Sequence, residues 1–499
     1  MTTWGDGYVT DIPYTVGWYS QQSPAILALT ALMCSVEATR PTGDDPVHLL
    51  ELGCGRGLGA MLQAASNPSW LVTAIDFNPA HIAEARAWAH AAGLKNINFI
   101  EADLSSLAES AAAQGIPEAD FVTIHGVWSW VSPAVRQGIV KLLRDKVRPG
   151  GLVHVSYNAL PGWGARLGMQ RLLRTVGLSV PGRSDRQAEE GLKFLRALEQ
   201  AEAIHLAQSP SAKNLLSRLD QFPAGYLAHE FMNGAWSPCF MADVAEAMSG
   251  AKLEWVGSAQ LTDNFPVLTL SEAQYALQRQ FDDPITRELI RDMSTDNPFR
   301  HDVYVRGARR ITQAKRDAAL MDVDIALNIL PESLPLEVPA PAGKAELNPA
   351  FYQPIAQALR DGPCKVGALL GLPDVEGRRD NPAELLGILV GYNFATPAAR
   401  SGAAPGVEAR LFNRMATYRF AEGGNLNQQV GVASYRLGVP VRATVLDMLV
   451  ADCVDAGLTG ANQIAARATP DPEQQVALQP IVQEVLDNRI PVLRATGVI

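Results

Sequence analysis

Short apolar runs and longer helical patterns alternate along the first 160 residues. "VHLLELG" (47–53) is short, continuously apolar and closed by glycine, which predicts a buried strand. "LGAMLQAAS" after it has helical character. "WLVTAID" (70–76) and "NINFIEADL" (96–104) predict a second and a third strand, which end at Asp76 and Asp103. Between them, "NPAHIAEARAWAHAAG" opens on Asn78 as a cap with Pro79 at the first helical position, and stops at Gly93. "ADFVTIHG" (119–126) predicts a fourth strand. A helix follows, begun by Ser132-Pro133, and then "GLVHVSYN" (151–158) as a fifth strand. Strands alternating with helices in this way predict an α/β fold, a doubly wound, Rossmann-like parallel sheet.

The pattern then changes. Residues 161–235 read as helical, and "RQAEEGLKFLRALEQAEAI" gathers Leu192, Phe194, Leu195, Leu198 and Ala201 on one side. That face is expected to pack on the first domain or on a second copy of the chain, which would make a homodimer. Strands are predicted near residues 253–261 and 302–306, and these are expected to complete the first sheet. Residues 161–235 then become an insertion. "NILPESLPLEVPAPAGKAELNP" (328–349) is proline-rich and reads as a linker or an extended strap. The expected division is 1–40 as an N-terminal lid, 41–160 as the ligand-binding core, 161–235 as a helical insertion and 236–312 as the remainder of that fold. Residues 313–349 then form a linker and 350–499 a mainly helical domain.

Composition narrows the class. The chain has 499 residues, 47% hydrophobic and 19% charged, as in ordinary globular proteins. A formal net charge of −10 without a Lys/Arg cluster argues against a nucleic-acid partner and suits a basic one, such as a lysine-rich peptide. Five scattered cysteines without a C-x-x-C pair argue against a disulfide framework and for a reducing compartment. With no apolar leader and no apolar run long enough for a bilayer, the expectation is a cytoplasmic protein without membrane insertion.

The candidate chemistry lies in "LLELGCGRGLG" (50–60), where Gly53, Gly55, Gly57 and Gly59 alternate. The dinucleotide spacing G-x-G-x-x-G is not met cleanly. Glu51, inside the loop motif, would repel a pyrophosphate. A phosphate-free ligand with a cationic end, S-adenosylmethionine, tolerates that acid. Asp76 at the second strand end is placed to accept hydrogen bonds from ribose hydroxyls. Asp103 at the third is placed to read an adenine amino group. The predicted cofactor set is Glu51, Gly53, Gly55, Gly57, Asp76, Phe77, Asp103, Leu104, His125 and Tyr14. "LAHEF" holds His229-Glu230 but lacks the second histidine of a zinc helix, and no metal centre is expected.

"HGVWSWVSPAVR" and "VSYNALPGW", with "PYTVGWYSQQSPAILALTALM" and "YLAHEFMNGAWSPCFMADVAEAM", resemble the bacterial class I methyltransferases that carry a methyltransferase regulatory domain. The resemblance covers about residues 10 to 310. Its best understood members methylate lysines of outer-membrane proteins, which implies a protein-lysine acceptor. The tail resembles the small winged-helix-like domain of those lysine methyltransferases.

Methyl transfer from a sulfonium is an in-line displacement that needs alignment and exclusion of water. A lysine must first lose its proton, and an apolar channel favours that loss. Trp128, Trp130, Tyr157, Asn158 and Trp163 follow strand ends and are expected to line the acceptor site. Tyr14, Trp18 and Tyr19 are expected in the lid. His125 is a candidate proton relay, Tyr157 and Asn158 candidates to orient an amine, and His154 a structural residue. Two other readings stay open: a small-molecule N- or O-methyltransferase, and a cofactor-binding regulator without turnover.

Overall fold

Buried parallel strands are apolar throughout because helices cover both faces of their sheet. His48–Leu52 (β1) obeys this, with all five residues buried. The computed structural model describes residues 5, 7–14, 16–41, 46–340, 343–400 and 406–499; the remainder of the predicted lid, 1–4, 6 and 15, lies outside them. Leu71–Asp76 (β2), Ile97–Glu101 (β3), Ala119–Ile124 (β4) and Val147–Asn158 (β5) join β1 in a parallel array. Leu253–Ser258 (β6) and Phe299–Arg306 (β7) add two strands at the far side. The order is β3-β2-β1-β4-β5-β7-β6, and β7 runs antiparallel to both of its neighbours.

Leu58–Ser66 (α1), Pro79–Ala91 (α2) and Pro133–Lys146 (α3) connect the first five strands. The Asn78 side chain caps α2 by accepting from the backbone N–H groups of Ala80 and His81. Strand order reverses beside β1. In such sheets ligands bind at the carboxyl ends of the strands on either side of the reversal.

Between β5 and β6 lie the helices Leu167–Leu178 (α4), Ser184–Gln200 (α5), Pro210–Leu219 (α6) and Ala224–Phe231 (α7). They share a core of their own around Leu173, Leu195, Leu216 and Phe231, which also takes in Val9 and Ile12 of the N-terminal segment. Hydrogen bonds hold that segment down. Val9 donates to Asn233, Gly234 donates to the carbonyl of Gly7, and Ser184 donates twice to Asp11. His229 lies against the carbonyl of Pro13 at 3.2 Å.

The range read as linker is more structured than expected. It holds a helix, Gln313–Met321, a strand, Asp324–Leu327, and a hairpin of Glu337–Ala340 with Gly343–Glu346. Its prolines fall between apolar anchors, and Leu334, Val338 and Leu347 are buried. The C-terminal region is mainly helical, with two short strands that flank Asp324–Leu327 in a three-stranded antiparallel sheet and a β-hairpin, Gln429–Ser434 with Val439–Thr444. It packs on α1, where the Asn67 amide donates to the carbonyl of Gly438.

Candidate active site

The glycine loop after β1 is pinned by β2. The backbone N–H of Gly55 donates to Asp76 Oδ2 at 2.8 Å, and that of Asn78 donates to Oδ1 at 2.9 Å. Gly55 has φ +54°, and a Cβ there would face only the Tyr14 ring, at 3.7 Å, across the space above the loop. That space is a cavity of about 350 Å³. Gly53, Gly55, Asp76, Phe77, Asp103, Leu104, His125 and Tyr14 all line it, eight of the ten residues expected from sequence.

The other two serve the loop from outside the cavity. Gly57 has φ +78°, and a Cβ on it would strike the Phe99 ring at 2.6 Å, so this glycine permits close packing of loop on sheet. Glu51 is 7% exposed and is turned under the loop toward Gly59 and Gln22. Burial, with the Asp76 charge adding to it, pushes its carboxyl up to about 8. It is an internal acid beneath the loop and is not among the residues that line the cavity.

The cavity fits a phosphate-free, cationic nucleoside. Its lining includes Asp76 and Asp103 and, among the described residues, no Lys or Arg. A pyrophosphate would meet two carboxylates there and no counterion. Ribose hydroxyls, an amino group and an ammonium are matched by those acceptors.

A second cavity, of about 440 Å³, adjoins the first and shares Tyr14, His125, Gly126 and Trp130 with it. Its walls are largely aromatic, with Tyr19, Trp163, Tyr226 and Phe299 among them. One carboxyl stands inside, that of Glu230 on α7, which accepts from the Asn158 amide at 3.0 Å. Burial raises Glu230 to about 7, although the Asn158 hydrogen bond pulls the other way.

Strand alternation sorts the residues expected from β5. His154, Ser156 and Asn158 share one face. The backbone N–H of Gly126 donates to Ser156 Oγ at 3.0 Å, and Ser156 Oγ is also hydrogen-bonded to His125 Nδ1, at 3.0 Å. Tyr19 lies over His125, ring centroids 4.0 Å apart. His301 of β7 meets His154 at 3.2 Å between ring nitrogens. Burial holds all three imidazoles below their ordinary range, His301 down to about 4. They are neutral near pH 7, and their ring nitrogens lie within 4.8 Å of one another.

Two expected site residues lie elsewhere. Tyr157, one step along β5, points to the opposite face and is fully buried. Its hydroxyl donates to Asp302, inside a network where Arg300 pairs with Asp292, Glu288 and Asp302 at 2.7, 2.8 and 2.8 Å. Trp128 is buried in the core with Arg136 over its ring, and lines neither cavity. Trp130, two residues on, lines both. Glu230, Tyr226, Phe299 and His301 were missed by sequence reasoning. They come from the insertion and from β7, more than 65 residues beyond the strand ends where ligands were sought. Only "LAHEF" carries a sequence signal for this group, and without a second histidine it falls short of a metal motif.

The family description "Methyltransferase domain" matches residues 49–151, and "Predicted methyltransferase regulatory domain" matches residues 223–306. An uncharacterized protein of Synechocystis sp. is 35% identical over 397 residues, 79% of this chain and 77% of that one. A Carboxy-S-adenosyl-L-methionine synthase of Aeromonas hydrophila is 30% identical over 114 residues, 22% of this chain and 42% of that one. The structure of PKMT2 from Rickettsia typhi in complex with AdoHcy superposes with a TM-score of 0.70 over 97% of this chain and 99% of that one, at 17% identity, and so shares the fold. The second family match contains Glu230, β6 and β7, so the region called regulatory supplies two strands of the sheet and the acid of the second cavity. With its glycine loop, its acidic cation-free cavity and both family matches, this chain belongs to the S-adenosylmethionine-dependent methyltransferases that carry a methyltransferase regulatory domain.

Proposed function

We propose that this methyltransferase methylates an amine, the Nε of a lysine side chain in a protein. The observation that carries the reading is Glu230, a half-buried residue whose carboxyl is the one acid among the described residues lining a largely aromatic cavity, which shares a boundary with the cofactor cavity. Aromatic faces attract an ammonium and let the aliphatic stem of a lysine pass. An ionised carboxyl beside the acceptor position draws a cationic acceptor such as a lysine ammonium more strongly than a neutral hydroxyl.

Asp76, Asp103, Gly53 and Gly55 would hold the cofactor, with Tyr14 closing over the loop. The cofactor supplies a methyl group on a sulfonium, and the C–S bonding pair leaves with sulfur as the new N–C bond forms. The chain's own part is to deliver a neutral amine. Glu230 in its ionised form accepts one proton from the lysine ammonium, and the Asn158 amide holds the carboxylate in position. The aromatic walls exclude water and keep the amine on the line of attack. Fold similarity to PKMT2 and the length of the insertion agree with a large acceptor. The pH dependence of kcat/KM tests this reading. Activity should rise as pH increases through about 7, where Glu230 becomes a base. In Glu230→Gln, that limb should vanish and the rate should fall by roughly 10²–10⁴-fold. An unchanged profile in the variant would remove Glu230 from the mechanism.

A further inference from the structure

The helical insertion that walls the second cavity has the opposite net charge from the chain as a whole. Residues 161–235 carry nine Lys and Arg against seven Asp and Glu, whereas the whole chain has a net charge of −10. Two of those arginines, Arg166 and Arg218, line the cavity that holds Glu230. They lie close enough for the charge of Arg218 to depress Arg166, adding to the effect of burial.

Their circumstances differ. Arg166 is 8% exposed and has a counterion, Asp296, at 3.1 Å, which is itself fixed by Ser211. Arg218 sits on α6, one turn beyond Asn214, and both side chains face the cavity. It is exposed and, among the described residues, has no ion-pair partner; the nearby Asp220 is taken by Arg196. An uncommitted guanidinium thus stands at the entrance of a site whose interior recruits a cation. By itself Arg218 repels an approaching lysine. The repulsion turns to attraction when the same segment carries a carboxylate a few ångströms from the lysine stem. Guanidinium and carboxylate then pair at the rim while the ammonium enters toward Glu230.

We infer that Arg218 selects acceptor lysines with an acidic residue close by in the same chain, so that the acceptor segment offers a cation and an anion in a fixed order. This reverses the expectation drawn from overall charge, which pointed to a lysine-rich, basic segment. The inference rests on the lysine reading above. A lone amino acid also presents an amine and a carboxylate, so the test must separate the two sources.

Initial rates on three peptides that differ only beside a single lysine provide that test, with Glu, Gln or Arg as neighbours and free lysine as a fourth substrate. The Glu peptide should exceed the Gln peptide by about threefold to tenfold in kcat/KM, chiefly through KM, and the Arg peptide should be slowest. Added salt should narrow the spread. Arg218→Ala should flatten the series, and Arg218→Glu should invert it. Equal rates on all three peptides, or a series that Arg218→Ala leaves unchanged, would overturn the inference while leaving lysine methylation standing. Methylation of free lysine in preference to every peptide would assign the carboxylate to a small molecule and overturn it too. Transfer to none of the four would take down the lysine reading and this inference together.

Discussion

Glu230 and Glu51 are both carboxyls raised by burial, yet they do different work. Glu230 has a cavity in front of it, and burial raises its carboxyl to about 7. Glu51 has no such opening and holds a proton up to about 8. Its unfolded value is near 4.5, so between those two pH values the folded chain binds the extra proton. This contribution to stability is complete below about 4.5 and is lost as pH rises through 8, at up to about 1.4 kcal/mol per pH unit. Thermal melts of wild type and Glu51→Gln should diverge across that window, with the variant flatter. A variant that tracks wild type would show that Glu51 keeps an ordinary pKa. Asp76 acts otherwise again, since its two oxygens already hold the backbone of Gly55 and Asn78. Asp76→Asn should weaken cofactor binding by roughly 10- to 100-fold in calorimetry, in line with the loss of charge-assisted hydrogen bonds.

At the scale of elements, the sheet was legible because buried parallel strands leave an apolar signature and because Asn78, Pro79 and Ser132-Pro133 mark helix starts. The acids at strand ends were legible for the same reason, as the register of β1, β2 and β3 fixes them. Side-chain direction was legible too, but proximity in sequence was given more weight. Tyr157 and Asn158 cannot both face one cavity from one strand. Tyr157→Phe should therefore cost stability, about 1–2 kcal/mol for the lost hydrogen bond to the buried Asp302, which keeps Arg300 and Trp255, and leave kcat within about twofold at permissive temperature. A large loss of kcat with stability intact would return Tyr157 to the chemistry. Arg300 is the centre of the same network. Arg300→Met removes the cation that three buried carboxylates share and leaves them Arg291, Tyr157 and Trp255, and urea unfolding should show a loss of about 3–5 kcal/mol. The second cavity is hidden from sequence because it is assembled from α6, α7, β7 and the N-terminal segment, whose mutual placement no local pattern encodes.

The whole molecule places a nucleoside cavity and an aromatic cavity side by side. The N-terminal segment contributes to the walls of both, through Tyr14. The helical insertion walls the aromatic cavity, and the C-terminal region buttresses α1 from behind. Among the described residues no helix is long and apolar enough to cross a membrane. Holding the N-terminal segment depends on contacts from the insertion, so Asn233→Ala should loosen it and weaken cofactor affinity without touching the cofactor cavity itself. The central claim is the identity of the acceptor atom. It is tested most directly by incubating wild type and Glu230→Gln with labelled S-adenosylmethionine and cell extract, and then mapping the label by mass spectrometry in protein and small-molecule fractions. The account predicts methyl groups on lysine Nε of protein with wild type and little or none with the variant. Label confined to small molecules, or placed on oxygen or carbon, would contradict it.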